Sequence, residues 1–105
     1  MTKNKETVCA VVVTYNRKEL LLECLEALRK QTRPLDAIYL IDNASSDETP
    51  KILFDNGYIS ELSPNNLKEP WEKEFKTRNL ANEAIINLHY VRMNKNTDRR
   101  SWWFL

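Results

Sequence analysis

Glycine occurs once in the 105 residues, at Gly57. That scarcity removes two common ways of holding a nucleotide. A dinucleotide fold needs its glycine-rich turn, and a phosphate-cradling P-loop needs glycines around its lysine. Any nucleotide bound here must be held by side chains. Cysteine is nearly as scarce. Cys9 and Cys24 show neither metal spacing nor a disulfide framework, which points to a reducing compartment. No apolar run approaches the length needed to span a membrane, and Met1–Glu6 lacks the apolar core of a signal peptide. The net charge is only +1, which argues against a nucleic-acid partner. There is no HExxH, no Cys/His cluster and no Asp-x-Asp anywhere in the chain. The expected location is the cytoplasm.

Hydrophobic residues make up 42% of the chain, enough for one small core. They are organised around residues 8–17, Val-Cys-Ala-Val-Val-Val-Thr-Tyr-Asn-Arg. A short, β-branched apolar run reads as a strand over Val8–Thr14 buried on both faces. A helix is expected from near Arg17 to about Gln31, with Asn16 as its N-cap and Glu19 completing a capping box. Leu21, Cys24, Leu25 and Leu28 form its apolar stripe. The pattern then repeats. Ala37–Ile41 reads as a second strand ending at Asp42-Asn43, followed by Ala44-Ser45-Ser46-Asp47 and a short helix over Glu48–Asp55 that Gly57 ends. Pro50 is tolerable in its first turn.

Strand, helix, strand implies a right-handed parallel βαβ unit. Two polar clusters, Thr14–Arg17 and Asp42–Asp47, then lie side by side beyond the carboxyl ends of the strands, where α/β sheets bind ligands. Tyr15 offers a ring for stacking, Arg17 a fork of donors for phosphate, and Asp42 an acceptor for a base N–H or a ribose hydroxyl. Together they describe a side-chain site for a pyrimidine nucleoside diphosphate. Arg17 as a solvated side chain, and Asp42 and Asp47 as loop and helix caps, are the plain structural alternatives. Further along, Tyr58–Leu62 reads as a short strand and Ser63–Pro70 as a turn. Trp71–Arg78 is ambiguous, Leu80–Ile86 reads as a helix, and Leu88–Met93 as a third core strand. His89 reads as a packed or edge histidine.

Val11–Arg17, with Asp42–Thr49 some 25 residues on, resembles the start of the family 2 glycosyltransferases, inverting enzymes of GT-A fold. Members resembling rhamnosyl- and galactofuranosyl-transferases look nearest. The resemblance implies an α/β fold: a three-layer parallel-sheet βαβ arrangement, Rossmann-like, forming an incomplete GT-A N-terminal half over residues 1–98. It implies that Thr14, Tyr15, Asn16 and Arg17 line the nucleotide of the donor, that Asp42 binds the base, and that Asn43 and Asp47 shape the adjoining loop. The full-length enzyme would use a divalent cation, Mg or Mn, with a nucleoside diphosphate-sugar donor and a glycan or lipid-linked acceptor, and could sit peripherally at a membrane. The metal-binding Asp-x-Asp and the catalytic base of such enzymes have no counterpart here, so a truncated, inactive piece that binds no cation alone is expected. A non-catalytic nucleotide-sugar binding module is the alternative. Another is a fragment that self-associates as a homodimer through an open sheet edge or its aromatic tail.

The tail, residues 99–105, fits the rest poorly. If Arg99–Phe104 were encoded CGG CGG AGC TGG TGG TTT, a shift of one base would give Gly-Gly-Ala-Gly-Gly-Phe, a segment the family places here. The expectation is a frameshift after about Asp98, against an engineered boundary or a divergent tail. Sequencing the coding DNA should show codons that yield those glycines one base over, and codons that cannot would end the idea.

Overall fold

The computed structural model describes residues 8–32, 35–64 and 66–95. The element order is β1 (Cys9–Thr14), α1 (Lys18–Arg29), β2 (Ala37–Asp42), α2 (Thr49–Asp55), β3 (Trp71–Arg78) and β4 (Ile85–Arg92). They build one four-stranded sheet in the order β1-β2-β4-β3. β1, β2 and β4 run parallel, with Thr14 beside Asp42 and Asp42 beside Arg92 at their carboxyl ends. β3 closes the sheet as an antiparallel partner of β4. The α/β class and the parallel βαβ unit are as the sequence implies, but the sheet as a whole is mixed.

Two right-handed crossovers step in the same direction, from β1 to β2 and from β2 to β4, so both helices fall on one face. The core lies between them and that face. Leu21 and Leu25 of α1 and Leu53 of α2 pack on Ile38, Leu40, Leu88 and Tyr90. Tyr58 and Ile59 complete it, without forming the expected strand. The opposite face carries Cys9, Val11 and Tyr39, all exposed, and His89 stacked on Tyr39 at 5.0 Å between centroids. β1 is therefore covered on one face rather than both. Among the described residues, no helix is long and apolar enough to cross a membrane.

In place of the expected helix at Leu80–Ile86, residues 79–84 form the turn of the β3–β4 hairpin and Ile85 and Ile86 open β4. Asn79 decides this. It is 1% exposed, and its Oδ1 accepts the amides of Ala81 and Asn82 at 2.7 and 3.1 Å, a local bond that competes with helix formation. Its Nδ2 donates to the Gln31 carbonyl at 2.8 Å, tying the turn to the end of α1. Trp71–Arg78 resolves as a strand because Phe75 and Thr77 alternate inward among charged residues. The expected aromatic tail over residues 99–105 lies outside the described residues.

The one-sided sheet predicts a contrast between neighbours. Leu40→Ala, at a fully buried position, should lower unfolding free energy by about 2–5 kcal/mol. Val11→Ala, 43% exposed on the open face, should cost about 1 kcal/mol or less. Urea denaturation of both variants tests this.

Candidate functional site

Three strand ends meet at one edge. The loop after β1 carries Tyr15, Asn16 and Arg17, and the loop after β2 runs from Asn43 to Glu48. These loops are stitched together by side chains. The Asn16 amide donates to Ser45 Oγ at 2.9 Å, and Asn16 Oδ1 accepts the Ser46 amide at 2.7 Å. The Lys18 amide, first in α1, donates to Asp47 Oδ2 at 3.2 Å, while Asp47 Oδ1 accepts from Thr49 Oγ1 at 2.5 Å.

This changes the capping expected from sequence. Arg17, not Asn16, occupies the N-cap position of α1, and it makes no side-chain cap bond. Asn16 sits at φ 52°, a left-handed conformation that asparagine tolerates better than most residues. The backbone turns there, which frees the side chain to hold the second loop. Asp47, from that second loop, then receives the α1 amide.

Asp42 is the centre of the edge. Its carboxylate is 0% exposed. Oδ1 accepts the Ser45 amide at 2.9 Å, and Oδ2 accepts from the Tyr90 hydroxyl at 2.8 Å and from Arg92 Nη1 at 2.7 Å. Arg92 Nη2 donates onward to the Ser45 carbonyl at 2.8 Å. Burial, reinforced by the Asp42 charge, pushes the Tyr90 phenol far above its ordinary pKa, so it stays a donor. Asp42 was expected to meet a base. Its oxygens are instead committed to the fold, because the β2–β4 register sets Arg92 directly beside it.

The seven residues singled out from sequence do converge on this edge, in two groups. Tyr15, Asn16 and Arg17 are exposed and Asp47 is partly so, whereas Thr14, Asp42 and Asn43 are buried. Arg92 and Tyr90 were not among them. Their signal was positional: two residues at i and i+2, both on the helix-facing side of a strand pairing with β2. Among the described residues no group of three or more His, Cys, Asp or Glu side chains could hold a metal ion. The donor set for the divalent cation expected of a full-length enzyme is therefore not found among them.

The model of glycosyl transferase family 2 matches residues 9–57, from the start of β1 to the end of α2. The matched stretch is a little under half of the chain. The chain is also similar to the galactofuranosyltransferase GlfT1 of Mycolicibacterium smegmatis, 45% identical over 47 residues. That match covers 45% of this chain and 15% of the length of the relative. No solved structure matches. The family segment contains both stitched loops, while Arg92 and the β3–β4 hairpin lie beyond it.

The buried pair predicts an asymmetry. Arg92→Leu alone strands the Asp42 charge in the interior and should cost about 3–5 kcal/mol. Adding Asp42→Asn should recover most of that loss, since the neutral amide still has an oxygen for Ser45 or Tyr90. Denaturant unfolding of the two single variants and the double variant measures the coupling.

Proposed function

We propose that this chain forms the donor-nucleotide side of a glycosyltransferase, taking the nucleoside diphosphate of an activated sugar. One observation carries the reading: the family segment at residues 9–57 contains the two loops that Asn16, Ser45, Ser46 and Asp47 lock into a single surface at the sheet edge. Tyr15, 40% exposed, offers a free ring face, and Arg17 stands exposed beside it at the start of a 12-residue helix. A guanidinium next to the positive end of a helix suits a diphosphate. The similarity to a galactofuranosyltransferase supports a sugar nucleotide over a free one.

The reaction of the whole protein follows from the same reading. A hydroxyl of a glycan or lipid-linked acceptor attacks the anomeric carbon, the nucleoside diphosphate leaves, and the configuration inverts. A divalent cation would offset the charge of the leaving diphosphate. The residues described here would bind and orient the nucleotide, and the remaining chemistry would need groups beyond them.

Calorimetric titration of UDP and dTDP, with and without Mn²⁺, tests the reading. Binding should be weak, nearly independent of Mn²⁺, and lost by tenfold or more in a Tyr15→Ala, Arg17→Ala double variant that keeps its circular dichroism spectrum. Absence of binding to folded wild-type chain would overturn it.

A further inference from the structure

The sheet ends at two edges, β1 on one side and β3 on the other. Its hydrogen bonds show which backbone groups of β3 are left over. The Asn87 amide donates to the Asp36 carbonyl at 3.0 Å, so Asn87 turns its backbone toward β2, and the Asn79 amide donates to the Ala84 carbonyl at 2.8 Å across the hairpin. Backbone groups alternate sides along a strand. Lys73, Phe75 and Thr77, opposite Tyr90, Leu88 and Ile86, therefore spend theirs on β4, and Glu72, Glu74, Lys76 and Arg78 turn theirs outward. The Arg78 carbonyl reports that direction by accepting from Arg29 Nε at 2.9 Å, outside the sheet. Among the described residues no further strand pairs with this edge. Outward amides and carbonyls along a strand of 8 residues are a template for another strand.

We infer that β3 takes the β3 of a second copy of this chain, antiparallel, about a two-fold axis that sets Phe75 opposite Phe75, so that the two sheets run on as one. The order of charges along the strand carries this. The four residues with outward backbone are all exposed and share the open face of the sheet, where Glu74 Oε2 lies 3.7 Å from His89 Nε2. They read acid, acid, base, base: Glu72, Glu74, Lys76, Arg78. Pairing centred on Phe75 sets Glu74 opposite Lys76 of the second copy, and Glu72 opposite its Arg78. The two-fold repeats both pairs, so every charge meets its opposite, and these same pairs exchange the backbone hydrogen bonds. Moving the centre to Glu74 puts Glu74 against Glu74, and moving it to Lys76 puts Lys76 against Lys76. Parallel pairing in register sets like on like throughout. Like charges directly opposite one another destabilise a sheet. An edge charged with one sign repels a copy of itself in every register; this edge repels it in all but one.

The fold thereby selects among the contacts that composition leaves open. The β1 edge, Cys9–Thr14, carries no charge to fix a register, and the aromatic tail lies outside the described residues. β3 is separated from β1 by β2 and β4, so the pairing leaves Tyr15 and Arg17 uncovered. A two-fold axis normal to the sheet turns the carboxyl edges of the two copies in opposite directions. Each copy keeps its own loop surface, and the dimer stands independently of nucleotide binding.

Sedimentation equilibrium of the whole chain tests this, on wild type, Glu74→Lys, Lys76→Glu and the variant carrying both changes. Both positions are exposed, and an unchanged circular dichroism spectrum verifies folding. The wild type should dimerise, less tightly as salt rises. Glu74→Lys alone sets lysine against lysine across the axis, and Lys76→Glu alone sets glutamate against glutamate. Each should weaken dimerisation by about tenfold or more. An equimolar mixture of the two single variants should recover the dimer as a mixed pair, because the lysines of one face the glutamates of the other. The double variant should recover it alone. Loss of the Glu74–His89 contact within one copy is not restored by mixing, so the mixture separates an effect inside the chain from one between copies. A wild type that stays monomeric, or single variants that dimerise as tightly as wild type, overturns the dimer. Failure of the mixture or the double variant to recover overturns the register. Association that strengthens with salt and disappears in a Trp102→Ala, Trp103→Ala variant belongs to the aromatic tail and overturns the assignment to β3.

Discussion

The ion pair between Asp42 and Arg92 is the constraint on which the carboxyl edge of this sheet depends. A carboxylate with no exposed surface is costly unless its charge is paired and its lone pairs are satisfied. Here three donors from separate places meet that need: a strand-end guanidinium, a buried phenol and a loop amide. Each donor is thereby fixed in position. Arg92 in turn holds the Ser45 carbonyl, so the second loop is gripped at both its amide and its carbonyl. Ser45 and Ser46 then hold Asn16, and through it the exposed Tyr15 and Arg17. The order of dependence runs from a buried charge outward to the groups that meet solvent.

The parts legible in the sequence were those set by local pattern. The valine run, the leucine spacing of α1 and the second strand each carry their own pattern, and each forms the element that pattern implies, although β1 is covered on one face rather than two. The convergence of two polar clusters at one edge was also legible, because parallel connectivity forces it. The hairpin was not. Leu80, Ala81, Ala84 and Ile85 sit at helical intervals, yet Leu80 and Ile85 are 48% and 47% exposed, so no apolar stripe is buried to sustain a helix. Asn79 instead uses its side chain to close a turn, and gains a further bond from the end of α1. The role of Asp42 was hidden for a different reason. An acidic residue at a strand end reads as a free acceptor until the strand that covers it is placed, and that strand lies about fifty residues further along.

A site without glycine carries a structural cost that the same network offsets. Among the described residues, non-glycine positions with positive φ include Asn16, Ala44 and Glu48 in the two stitched loops, and Asn66 between α2 and β3. Each such conformation is disfavoured by about 1 kcal/mol or more for a residue with a Cβ. Among the described residues one further non-glycine example occurs, Glu83 in the hairpin turn. Strain of this kind persists where surrounding bonds over-determine the backbone. In the two stitched loops those bonds are identifiable: Asn16 is held by Ser45 and Ser46, Ala44 donates to the Asp42 carbonyl at 2.8 Å, and Glu48 is flanked by the Asp47–Thr49 contact. A glycine at any of these turns would relieve the strain but loosen the loop, and a site that reads its ligand through side chains needs the loop rigid.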